Sequence, residues 1–201
     1  MKRFLLVLGL VFTATSWLPA QSLTAEDRDR GLAHLERTRD AFLSELKDLS
    51  ATQLAFKAAP DRWSIAQVAE HIAASEDFLR DMVEKQVLAA PARTEEVNLR
   101  ELDEFVTSAI ADRSHKVQAP EPLAPSNRFG NAAESVAHFT ESRARTIALM
   151  TDKPDLRDHA ADSPLGKKLD AYQWLLFISA HCERHTKQIA EVKKSPEYPQ
   201  S

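Results

Sequence analysis

Four glycines and one cysteine in 201 residues remove two common structural devices from this chain. With so little glycine there is no glycine-rich loop to cradle a phosphate, and few hairpins that need left-handed backbone. The lone thiol, Cys182, cannot close an internal disulfide, so no covalent framework is expected. It reads as a small buried apolar residue rather than a ligand or a nucleophile. Strand-like alternation of β-branched residues is missing, and so is any internal repeat. Basic residues do not dominate: 26 Lys and Arg stand against 30 Asp and Glu, for a net charge of −4. That balance supplies no broad positive field, and no nucleic-acid partner is expected.

Long apolar runs are also scarce, and the clearest lies at the N-terminus. Met1-Lys2-Arg3 is a short basic head, Phe4 to Leu18 is nearly all apolar, and Pro19-Ala20-Gln21 follows. This is the layout of a secretory signal peptide over residues 1–20, cleaved after Ala20. The run is shorter than the ~20 residues a membrane span needs. The expectation is a protein exported to the periplasm or the exterior, with no stable membrane span after signal cleavage. No cysteine follows the run, so a lipid anchor there is not expected.

What remains is helical. One domain is expected over residues 24–195, with a mobile tail at 196–201. A first helix runs from about Thr24 to Leu49, with Leu32, Leu35, Phe42, Leu46 and Leu49 on its apolar side. Thr24 and Asp27 mark its start. A second begins at Ser64, where Ser64 and Gln67 fit a capping box, and ends near Ala89-Ala90-Pro91. A third spans about Asn131 to Met150, and a fourth about Leu169 to Lys193. Between the second and third lies a long connection. Leu99 to Ile110 has the character of a short extra helix, and Pro120, Pro122 and Pro125 enforce an extended stretch. Thr151 to Lys168 reads as an irregular crossing loop. The fold class is all-α: a four-helix bundle with one long crossover.

The last helix places two histidines where core residues belong. Trp174, Ile178, His181, His185 and Ile189 fall on one stripe, and the one-turn spacing lets a single divalent ion reach both imidazoles. No glutamate follows the first histidine, so the zinc-protease motif is not present. His71, on the flank of the second helix's apolar face, is the candidate third ligand. Taken alone it reads as a hydrogen-bonded, half-buried histidine, and only the His181–His185 pair makes it a ligand candidate. Three neutral imidazoles suit zinc, nickel, copper or ferrous iron and leave a position open. His34, His115, His138 and His159 read as solvated or loop-bracing. Glu70, Glu76 and Glu183 read as surface carboxylates, with Glu70 and Glu183 also placed to orient a histidine. Arg62, Arg80 and Arg184 read as solvated, and Trp63, Phe78 and Trp174 as core aromatics.

The stretch Pro60-Asp61-Arg62-Trp63-Ser64-Ile65, with His71 in the helix it opens and His181 and His185 far downstream, resembles the DinB-like superfamily of metal-binding bundles. The similarity covers about residues 24 to 195. It implies an up-down-down-up bundle in which His71, His181 and His185 hold a divalent ion, zinc or nickel, and it implies homodimers for many members. Relatives include thiol-dependent transferases and isomerases that use mycothiol or bacillithiol, one a mycothiol-linked maleylpyruvate isomerase. An exported chain fits such cytosolic thiols poorly. The expected function is a metal-dependent hydrolase or transferase acting on a small organic substrate. The alternative is a non-catalytic exported protein that uses the metal to stabilise a binding or interaction module.

Overall fold

A computed structural model describes residues 22–200. The signal-peptide expectation over residues 1–20 lies outside the described residues. Six α-helices follow: α1 Ala25–Leu46, α2 Ala51–Ala55, α3 Ile65–Met82, α4 Leu99–Ala111, α5 Ala132–Asp152 and α6 Ala171–Lys193. Each long helix starts where a side chain satisfies its free N–H groups. Thr24 with Asp27, Ser64 with Gln67 and Asp170 with Gln173 form reciprocal capping boxes, and Asn98 and Asn131 cap α4 and α5. Such caps are each worth about 1 kcal/mol. Past Met82, α3 widens into a π-turn, Val83–Val87, that keeps Val83 and Val87 buried.

The bundle is formed by α1, α3, α5 and α6. Each of α1 and α3 packs against both α5 and α6. Lys193 reaches Glu45, and the Tyr172 hydroxyl donates to the Asp27 carbonyl, so α1 and α6 run parallel. Phe42 packs edge-on against Phe139, while Arg28 reaches the Met150 carbonyl, so α5 runs against α1. His71 meets His181 and His185, with Ile65 and Val68 in one core cluster with Ile189 and Val192, so α3 runs against α6. The order is up-down-down-up. α4 is the return leg of the crossover and lies on the outside of α6.

Local differences from the sequence expectations are small and have physical reasons. α2 is a five-residue helix with its own capping box, Ser50 with Gln53, too short for an apolar period to show. The crossing loop before α6 contains a hairpin, β1 Ala160–Asp162 and β2 Lys168–Asp170, paired antiparallel with Ala161 opposite Leu169. Three residues per strand carry no alternation to read, and Gly166 makes the turn at φ 68°. Near the C-terminus Tyr198 packs edge-on against Phe56, and the Pro199 carbonyl accepts from Gln53. Among the described residues no helix is long and apolar enough to cross a membrane.

Candidate metal centre

The antiparallel contact of α3 with α6 brings together the three histidines singled out above. The His71 Nε2 atom lies 3.3 Å from His181 Nε2 and 3.2 Å from His185 Nε2. One ligand atom from each of the three rings falls within 4.8 Å of the others. Two nitrogens bound at ~2.0–2.1 Å to one tetrahedral ion are separated by ~3.3 Å, so the donor set has the spacing a metal requires. His71 is buried, while His181 and His185 keep partial solvent access. Trp63, from the turn before α3, packs on His71 at 4.9 Å and stacks on His185 at 6.4 Å between centroids.

Hydrogen bonds on the far side of two rings decide what faces inward. His71 Nδ1 donates to the Leu123 carbonyl at 2.9 Å, which leaves its Nε2 a bare lone pair. His185 Nδ1 donates to Gln188 Oε1 at 2.8 Å, with the same result. Arg113 Nη1 also donates to Gln188 Oε1, at 3.5 Å, and is itself held by both oxygens of Glu191 at 2.6 Å, which fixes the amide with its oxygen toward the ring. Two lone pairs 3.2 Å apart repel unless a cation stands between them. The tautomers are thus those of metal-bound imidazoles, whose outer N–H groups are tied to carbonyl or amide acceptors.

The electrostatics point the same way. Burial pushes the pKa of His181 well below its ordinary value, and the two neighbouring rings add to this. Burial and His71 bring His185 down to about 3. Burial also lowers His71, partly opposed by its bond to Leu123. All three rings are neutral at physiological pH, the form that ligates.

The other titratable residues separate from this centre. Glu76, expected on the surface, is buried in a bidentate pair with Arg143 at 2.8 Å. Glu70, also expected on the surface, is buried and bonded to the crossover loop. Glu183 is on the surface, paired with Lys187 at 2.7 Å. Arg80 is buried rather than solvated, bonded to the Ser142 carbonyl at 3.1 Å. Arg184 donates to the His115 carbonyl at 2.7 Å, which braces the segment after α4. Arg62 is exposed. His34 is half-buried and bonded to Ser179, with burial lowering its pKa to about 4. His138 faces the Asp77 carboxylate, and His159 bonds to the Ala90 carbonyl at 2.6 Å. Phe78 is exposed rather than core, and Trp174 is core. Cys182 is buried, and burial raises its thiol to about 11, which leaves it inert. Gln188 and Leu123 escaped the sequence reading. Gln188 stands one turn beyond His185 and was open to notice, whereas a backbone carbonyl leaves no trace in a sequence.

Comparison with known proteins agrees with this architecture. The sequence profile of the DinB superfamily matches residues 34–189. The uncharacterized protein YuaE of Bacillus subtilis (strain 168) is 28% identical over 155 residues, covering 77% of this chain and 91% of YuaE. The solved structure of YfiT from Bacillus subtilis covers 91% of this chain and 95% of its own, at 15% identity and a TM-score of 0.54. That protein is described as a probable metal-dependent hydrolase with an unusual four-helix bundle topology. A likeness at that identity establishes the fold.

Proposed function

The chain belongs to the DinB superfamily, and from that premise we propose that it is an exported metal-dependent enzyme, a hydrolase or transferase acting on a small organic substrate. The observation that carries the reading is the facing of the His71 and His185 lone pairs at 3.2 Å, with His181 closing the set. His71, His181 and His185 would hold one divalent ion from the set that three imidazoles accept, zinc or nickel by the family resemblance. Such an ion supplies Lewis acidity, which polarises a carbonyl or lowers the pKa of water or of a substrate thiol. The protein's part is to hold the three rings neutral and aimed: Leu123 and Gln188 take the outer protons, and Trp63 covers two of the rings. The description of YfiT as a hydrolase supports that reaction class. The basic head and apolar run at Met1 to Ala20 support export.

The test is elemental analysis of tag-free protein, followed by a screen of small esters and thiol conjugates with and without chelator. About one ion per chain and a chelator-sensitive turnover are expected, and less than about 0.1 ion per chain would overturn the metal reading. Stoichiometric metal with no turnover would instead favour a non-catalytic metal-stabilised binding protein.

A further inference from the structure

The proline-rich crossover meets His71 at one atom, and two charged side chains hold that atom in place. Leu123 ends a single 3-10 turn, Glu121–Leu123, and its carbonyl is the acceptor for His71 Nδ1. Glu70, the residue before His71 on α3, is buried and turned onto the same loop. Its Oε1 accepts the Ser126 N–H at 2.8 Å and the Arg128 N–H at 3.0 Å, and its Oε2 accepts the Asn127 N–H at 3.0 Å. Asn127 adopts the left-handed conformation, φ 65°, which lets three successive N–H groups converge on one carboxylate. Arg128 works from the other side. Its Nη2 donates to the Pro122 carbonyl at 2.8 Å and the Ala124 carbonyl at 3.1 Å, the groups on either side of Leu123. Its Nε lies 3.4 Å from Glu70 Oε1, which joins the two into one clamp.

We propose that the Glu70–Arg128 clamp is the positioning device of the centre: it holds the Leu123 carbonyl on His71 Nδ1 and so keeps His71 Nε2 unprotonated and facing His181 and His185. A neutral imidazole left to solvent prefers its proton on Nε2, the wrong nitrogen for this centre, so the preference must be imposed from outside the ring. The effect on metal affinity rests on the metal reading above, whereas the effect on the tautomer stands in metal-free protein.

The experiment therefore reads both. Two-bond 15N–1H spectra of the metal-free protein report the His71 tautomer, and competition titration reports zinc affinity, for wild type, Glu70→Gln, Glu70→Ala and Arg128→Ala. Circular dichroism verifies the fold, and Arg128, partly exposed, gives a variant that folds where Glu70→Ala does not. Wild-type His71 is expected to carry its proton on Nδ1. Glu70→Ala and Arg128→Ala should move a measurable fraction to Nε2 and weaken zinc by about 10- to 100-fold. Glu70→Gln should fall between, since its amide keeps one acceptor but sets N–H against the Asn127 N–H. Folded variants that keep the Nδ1 tautomer and bind zinc within about twofold of wild type would overturn the proposal. A tautomer shift in a protein that binds no zinc would uphold the clamp and remove the metal reading.

Discussion

Two polar clusters are built into the same bundle five residues apart on α3, and they are opposites. Around Glu76 the charges are complementary: Arg143 donates twice to the carboxylate, Thr146 donates at 2.7 Å, and the Arg143 Nη1 reaches the Leu35 carbonyl at 2.8 Å. Donors and acceptors match, and nothing further is called for. Around His71 three rings of one kind meet, two of them with lone pairs aimed at each other. The first cluster is closed as it stands, and the second leaves lone pairs facing each other in an arrangement that could hold a cation. A buried polar group by itself indicates nothing about function; the sign of what its neighbours offer does.

The largest effect expected is on the closed cluster. Glu76→Ala strands a buried guanidinium and should cost roughly 3–5 kcal/mol in urea denaturation, with zinc affinity little changed. Glu76→Leu with Arg143→Met should recover most of that loss. A large loss of zinc binding in the folded single variant would mean that the two clusters are coupled, and the contrast would fail. At the open cluster the reverse holds. His181→Ala should weaken zinc by more than the roughly 100-fold that outer-shell changes cost, while metal-free stability moves by no more than about 1 kcal/mol. A heavily destabilised metal-free variant would make the triad structural.

Acid should separate the clusters further. His185 and His34 titrate at about 3 and about 4 in the fold, against 6.5 as the ordinary value. Over that window the unfolded chain binds more protons than the native one, so metal-free stability should fall as pH drops from 6.5 toward 4. Each histidine contributes at most about 1.4 kcal/mol per pH unit. His34→Gln should flatten the slope by about one proton and leave zinc binding unaffected, as measured by urea titrations across that range. Asp170, raised by burial to about 6, works in the opposite sense and sets the background common to both proteins. The smallest effect is at Gln188: Gln188→Ala frees the His185 tautomer and should cost about tenfold in zinc affinity with no change in stability.

Much of the fold was legible because it is local. The capping boxes at Thr24 and Ser64 and the apolar periods behind them need only residues three or four apart. His181 and His185 were readable for the same reason, and the motif around Trp63 and His71 supplied the third ring. The long-range pairs were not. Glu76 and Arg143 are separated by 67 positions, and each by itself resembles a surface charge. Glu70 binds backbone N–H groups 56 to 58 positions away, and no residue type announces a backbone donor.

The amino-acid order by itself determined the long helices and the pairing of His181 with His185, because helical period and capping chemistry act within a turn or two. Only the tertiary structure decided which nitrogen of each ring faces the centre, which carboxylates are consumed by the core and which loop carbonyl steers His71. Those outcomes depend on hydrogen bonds between segments remote in the chain, and their partners exist only once α3, α6 and the crossover have packed together.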